Sequence, residues 1–171
     1  DLTVVQYSQT IDADTARNQL LSEDELLTCS SKMMDVIDLA LRVAVTDSTI
    51  LLTGESGVGK SLLAKTIHRS SERKQRPLMQ INCAAIPENL IEAELFGYEA
   101  GAFTGADAKG KAGLLEMARD GTVFLDEISE LPLHLQSKLL GVIQDREFYR
   151  VGGRQVQQVD IRLIARSEER R

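Results

Sequence analysis

Residues 49–61 constrain this chain most. A short apolar run, Thr49-Ile50-Leu51-Leu52-Thr53, stops at Gly54-Glu55-Ser56-Gly57-Val58-Gly59-Lys60-Ser61, and the Lys-Ser pair opens a helical pattern. The spacing G-x-x-x-x-G-K-[ST] between a strand and a helix is the Walker A arrangement. Its glycines let successive backbone N–H groups curl into an anion-binding nest, and the helix that follows points its positive dipole end at the bound phosphates. Lys60 is placed to reach the β- and γ-phosphates of ATP, and the Ser61 hydroxyl to ligate Mg²⁺. All eight residues from Gly54 to Ser61 are therefore candidate nucleotide-binding positions.

A chain of 171 residues holds one domain or most of one. Hydrophobic residues make up 43% of it and aromatics only 4%, so the apolar material is mostly aliphatic. No stretch approaches the ~20 apolar residues of a membrane span, so no membrane partner is expected and the cytoplasm is the expected location. Cys29 and Cys83 stand far apart with no CxxC partner, which reads as ordinary reduced thiols. The net charge of −6 is concentrated in residues 1–31, which hold six acids against one base. The remainder is near neutral and offers no basic face for DNA.

Residues 1–28 lack a sustained period and read as an acidic linker or the tail of a preceding module, with a short helix expected around 15–27. Ser30 and Ser31 are candidate N-caps for a helix over 32–45, with Met33, Val36, Ile37, Ala40, Leu41 and Ala44 on its apolar face. Strand 49–53, the Walker loop and a helix over 60–71 follow. Leu78–Asn82 reads as a strand. Pro87 opens a helix that is expected to bury Leu90, Ile91 and Leu95. The span 97–113 carries five glycines and reads as a long exposed loop. After a short helix over 114–119, Thr122-Val123-Phe124-Leu125 is a continuously apolar strand, as expected when both faces are covered. Pro132 opens a helix with Leu135, Leu139, Val142 and Ile143 inward. Phe148–Val151 and Gln155–Gln158 flank Gly152-Gly153 as a hairpin, and Val159–Ala165 is the last strand. Alternation of strand and helix from residue 49 onward predicts an α/β fold, a parallel sheet with helices on both faces and its ligand at the carboxyl ends of the strands.

Strand 122–125 delivers Asp126-Glu127 at that same edge. In a chain that already has a Walker A, this pair reads as Walker B. Asp126 is expected to hold Mg²⁺ beside Ser61, and Glu127 to polarise the water that attacks the γ-phosphate. Asn82 ends a strand at the same edge. Its amide fits two roles, a hydrogen bond that holds Glu127 away from the water or a simple strand cap. Phe103 stands among glycines and alanines in the 101–106 loop tip. It is either an exposed partner contact or a ring tucked back onto its own domain.

Six segments, GESGVGKS, INCAAIP, ELFGYEAGAFTGA, GTVFLDEI, LQSKLLGVIQ and FYRVGG, occur in one order and at close spacing. Over roughly residues 28–165 the chain resembles the central AAA+ ATPase domain of the sigma-54-dependent transcriptional activators, the bacterial enhancer-binding proteins. The GAFTGA segment is the most specific of the six. The resemblance implies a P-loop NTPase of AAA+ type that assembles as hexameric rings and uses ATP and Mg²⁺ to remodel sigma-54 RNA polymerase holoenzyme. It implies that Gly101, Ala102, Phe103, Thr104, Gly105 and Ala106 contact sigma-54, with Phe103 and Thr104 central. It also implies that Asn82 is a switch that pairs with Glu127, and that Ser129–Pro132 is a second loop moving with the first.

Three departures from that family stand out. Ser61 replaces the usual glutamate after the Walker lysine and restores the general P-loop pattern. Arg166-Ser167-Glu168 stands where the family reads Ala-Thr-Asn, so the sensor asparagine is absent, and 166–171 is expected to be a non-family end. The arginine fingers, fifth core strand, helical lid and DNA-binding domain of the family lie beyond residue 171, and Arg154, Arg162 and Arg166 match none of the fingers. Residues 29–165 are thus expected to be a partial ATPase core with weak or negligible turnover, binding DNA only through a domain outside this chain. Strand 49–53 is expected at an open sheet edge that invites self-association. The alternative is a fragment that binds nucleotide or sigma-54 without hydrolysis. A small-molecule kinase would need an acceptor pocket and lid for which the sequence shows no segment, and the GAFTGA loop argues against it.

Overall fold

A computed structural model describes residues 31–168. The acidic segment 1–28, the helix expected at 15–27, the Ser30 cap and residues 169–171 lie outside the described residues. Helix α1 (Ser31–Ala44) leads to β1 (Ile50–Gly54), the Walker loop and α2 (Lys60–Arg69). Then come β2 (Leu78–Asn82), α3 (Glu88–Phe96), a minimal pair β3 (Gly97–Tyr98) and β4 (Lys111–Ala112), and the one-turn α4 (Leu114–Met117). The chain continues through β5 (Thr122–Asp126), α5 (Leu133–Asp145), β6 (Glu147–Tyr149), β7 (Val156–Gln158) and β8 (Arg162–Glu168). Single 3₁₀ turns at Cys83–Ala85 and Ile128–Glu130 follow β2 and β5.

The main sheet has the order β1-β8-β5-β2, all parallel. The central strand β5 is apolar from Val123 to Leu125 and buried from Thr122 to Leu125, because both of its faces are covered. On one face Phe124 of β5 and Ile164 of β8 pack with Ala40 and Ala44 of α1 and Ala64 and Ile67 of α2. On the other, Val123, Leu125, Leu163 and Ala165 pack under residues of α3, α4 and α5, including Ile91, Leu95, Leu115, Leu135 and Leu139. The period-2 alternation of each strand divides its side chains between the two helix layers. This is the α/β/α architecture expected from the sequence. Among the described residues strand β1 pairs only with β8 and so forms an edge of the sheet. Among the described residues no helix is long and apolar enough to cross a membrane.

Four expectations need correction. The last strand is displaced by three residues and runs over 162–168 rather than 159–165. Its ladder begins with Arg162 opposite Thr122 and continues past Ala165, because Arg166, Ser167 and Glu168 pair with Leu52, Thr53 and Gly54. Residues 166–168 are thus part of the sheet. Val36, Leu90 and Ile143 are exposed rather than inward. Each is sequence neighbour to a buried residue (Ile37, Ile91, Val142), about 100° round the helix from the stripe that faces the sheet. Finally, the 97–113 segment is not simply loop. Gly97 and Tyr98 pair antiparallel with Ala112 and Lys111, closing its base.

Candidate functional site

At the carboxyl edge of the sheet, Gly54 ends β1 and the loop 55–59 turns into α2. Gly59 takes φ 92°, a left-handed conformation that a Cβ would strain, and caps the helix. Lys60 is buried, and its Nζ donates to the carbonyls of Gly54 at 2.7 Å and Glu55 at 2.6 Å. These two bonds fold the lysine back over its own loop. They fix the ammonium at the helix N-terminus, where the backbone N–H groups also converge.

Asp126 ends β5, and Glu127 follows it in a left-handed conformation, φ 54° and ψ 53°. The register pairs Phe124 with Ile164, so Asp126 and Arg166, each two residues further on, emerge on the same face as α2. There the Arg166 guanidinium engages three partners. Nη1 donates to Ser61 Oγ at 2.9 Å, Nη2 donates to Glu127 Oε1 at 2.8 Å, and Nε forms a close ion pair with Asp126 Oδ1. Glu168 stands further off, 3.9 Å from Nη2. The Glu127 hydrogen bond, opposed by burial and aided by the charges of Asp126, Glu127 and Glu168, raises the Arg166 pKa above its ordinary value. The guanidinium is a fixed positive charge.

Ser61 and the two carboxylates offer oxygen donors only, the set a hard divalent cation prefers. The Oδ1 of Asp126 is buried and has no hydrogen-bond partner, since its contact with Nε is an ion pair without hydrogen-bond alignment. An acceptor so placed fits a Mg²⁺ ligand. By donor type these three residues suit the ion, but the space between them is held by the Arg166 guanidinium.

Asn82 lies opposite Asp126 in the β2–β5 ladder. Its Oδ1 accepts a hydrogen bond from the Ala84 N–H at 3.0 Å and caps the 3₁₀ turn, while Glu127 is bonded to Arg166. Of its two possible roles, the structure displays the cap. Cys83, next along, is buried, and burial pushes its thiol up to about 11, with the charges of Asp126 and Glu127 adding to the effect.

The segment containing 101–106 projects from the β3–β4 pair. Gly97 permits the base to close, since its φ is 72° and a Cβ there would stand 2.4 Å from the Lys111 carbonyl. The β6–β7 hairpin braces it. Glu99 N–H donates to Val151 O at 3.1 Å, and Val151 N–H to Gly97 O at 2.9 Å. Phe103 is 43% exposed and rests edge-on against Tyr98, with ring centroids 5.0 Å apart. The ring leans on its own loop and keeps much of its surface in solvent. Thr104 and Gly105 are exposed beside it, and the 3₁₀ turn Ile128–Glu130 takes in the first half of the segment 129–132.

The model of the Sigma-54 interaction domain family matches residues 26–170. The chain belongs to this family. The regulatory protein AtoC of Escherichia coli (strain K12) is 51% identical over 140 residues, 82% of this chain and 30% of that protein. The crystal structure of NtrX from Brucella abortus in complex with ATP is similar with a TM-score of 0.75 and 36% identity, over 92% of this chain and 33% of the other. The P-loop NTPase domain of a sigma-54 transport activator from E. coli shares the fold, with a TM-score of 0.52 at 17% identity over 82% of this chain and 78% of the other. The chain spans less than half the length of the curated relatives it matches. Within this sigma-54 interaction domain, Arg166 is the site residue that the sequence reading passed over. The signal was available in the strand alternation, because Arg166 stands two residues beyond Ile164, as Asp126 does beyond Phe124.

Proposed function

We propose that this chain is the ATP-binding core of a sigma-54-interacting transcription activator that couples ATP hydrolysis to remodelling of RNA polymerase holoenzyme. The observation that carries the reading is the meeting of Ser61, Asp126 and Glu127 on one guanidinium at the edge of the sheet where the Walker loop turns. Side chains 61 and 127 are thereby within one residue's reach of each other, as a shared phosphate site requires. Gly54–Ser61 would cradle the phosphates, with Lys60 swinging from its loop carbonyls to the β- and γ-oxygens. Ser61 and Asp126 would hold Mg²⁺, which when bound neutralises phosphate charge. Glu127 would orient the attacking water, and Asn82 would exchange its cap on Ala84 for a bond to Glu127 when the site turns over. The 101–106 tip would contact sigma-54 through Phe103 and Thr104, carried on the braced base at 97–98 and 111–112. Assembly into a ring of copies is part of the same reading, as is DNA binding through a separate domain.

A second reading, a nucleotide- or sigma-54-binding unit without turnover, is favoured by one contact. The Arg166–Glu127 bond occupies the carboxylate that would polarise water. Binding and steady-state hydrolysis of ATP, measured together at high protein concentration, separate the two. Turnover abolished by Glu127→Gln supports the first reading, and binding without turnover supports the second. ATP binding that survives Lys60→Ala unchanged would remove the role given to the Walker loop in both. Retention on immobilised sigma-54 that is lost in Phe103→Ala tests the partner assignment.

A further inference from the structure

The Arg166 side chain engages the same oxygens, on Ser61 and Asp126, that would hold a divalent cation here. It reaches the Ser61 hydroxyl, the buried Asp126 oxygen and the Glu127 carboxylate at once, and it is itself only 17% exposed. A guanidinium does not lose its proton at any accessible pH, so the charge is permanent. Its planar fork also suits phosphate oxygens as well as carboxylates. An incoming Mg²⁺ must either expel Arg166 from two partly buried carboxylates or bind beside a like charge. Both are costly where water is scarce. Lys60 already supplies a second fixed cation on the loop side.

We propose that Arg166 is the site's built-in cation, so that this chain binds nucleotide phosphates without needing a divalent metal ion. The inference rests on the nucleotide-binding part of the reading above and departs from its Mg²⁺ assignment: Ser61 and Asp126 become available to the ion only once Arg166 is displaced. Arg166 is a positioning residue for Ser61, Asp126 and Glu127 and a candidate phosphate contact. A merely structural ion pair would leave nucleotide affinity coupled to Mg²⁺ in the ordinary way.

The test is a titration of the 171-residue chain with a fluorescent ADP, once in EDTA and once in excess Mg²⁺. In the wild type the two affinities should agree within about threefold, whereas Arg166→Ala should bind about tenfold or more tightly with Mg²⁺ than without it. Reciprocity requires the same contrast in the metal's own binding, read as protein-bound Mn²⁺ by electron paramagnetic resonance in the presence of ADP. If Arg166→Ala does not fold, Arg166→Gln replaces it, and the wild-type measurements alone still decide. A wild-type affinity that rises about tenfold or more with Mg²⁺, or tight Mn²⁺ binding by the wild-type ADP complex, overturns the inference while leaving nucleotide binding intact. Failure of both wild type and variant to bind ADP in either condition removes the nucleotide reading itself, and this inference with it.

Discussion

Arg150 grips both carboxylate oxygens of Glu116, Nε to Oε1 at 2.8 Å and Nη2 to Oε2 at 2.7 Å. Its remaining nitrogen reaches Glu99 at 3.3 Å. One arginine thus ties the β6–β7 hairpin to α4 and to the foot of the 97–113 segment. The pair is about four-fifths buried on each side, and bidentate charge-assisted bonds are among the stronger ones. Arg150→Ala should cost about 2 kcal/mol in urea unfolding and should increase proteolysis within 101–106. Arg150→Lys, which keeps the charge and loses the fork, should recover only part. The Arg150 hydrogen bond holds Glu116 below the ordinary carboxyl value of 4.5. A depressed folded-state value means that the stabilisation is complete above 4.5 and is lost as pH falls through the folded value. The acid limb of the wild-type stability curve should therefore be steeper than that of Arg150→Ala. Equal limbs would exclude this role for the pair.

Gly97 closes the same base in a different way. With φ at 72° and a would-be Cβ 2.4 Å from Lys111 O and 2.6 Å from Gly113 N, no rotamer relieves the contact. Gly97→Ala must strain its backbone or push β4 away, and about 2 kcal/mol or more of destabilisation is expected. Loss of the Val151–Gly97 bond should show as faster amide exchange at Val151. Slow exchange there with unchanged stability would mean that the base tolerates a side chain.

The strands of this fold were legible where the pattern was unambiguous. Leu78–Asn82 is a strand over the residues expected, and the apolar run 123–125 correctly announces a strand covered on both faces. Faces of helices were harder to read. Val36, Leu90 and Ile143 are apolar beside an apolar neighbour, and periodicity alone does not tell which of the two faces the sheet. The end of β8 was misplaced because Arg-Ser-Glu carries no strand propensity of its own; pairing with Leu52, Thr53 and Gly54 holds it extended. That displacement concealed Arg166, whose place in the site depends on register across two parallel strands. The Arg150 clamp was concealed for a similar reason, since its partner Glu116 is 34 residues away in sequence.

His68 is buried on α2, and its Nδ1 shares a hydrogen bond with Thr122 Oγ1 at 2.9 Å. Burial holds its pKa below the ordinary 6.5, against a backbone hydrogen bond at Arg76, and the charges of Arg162 and Arg69 push the same way as burial. The folded chain keeps the ring neutral while the unfolded chain takes up a proton. Stability is thus complete above 6.5 and falls as pH drops below it, by up to about 1.4 kcal/mol per pH unit for one proton. In His68→Gln, which retains a hydrogen-bonding side chain, that part of the slope just below pH 6.5 should vanish in chemical denaturation. An identical slope in the two proteins would assign it to other groups.

Arg162 works at the opposite edge of the sheet from the phosphate site. It is 1% exposed, and its guanidinium donates to the carbonyls of Ala44 and Val43, the latter at 2.7 Å. Those carbonyls belong to the last turn of α1, where helical partners run out and the dipole is negative. A cation from β8 therefore pins α1 onto the sheet above Phe124 and Ile164. Arg162→Met keeps most of the apolar stem but takes the donor from the Ala44 carbonyl, while Val43 O keeps its bonds from Thr46, at a cost of about 1–3 kcal/mol. The damage should be local as well as global, with amide exchange in 36–44 accelerating more than in β5. A Met variant as stable as the wild type, with α1 still protected, would show that apolar packing alone seats the helix.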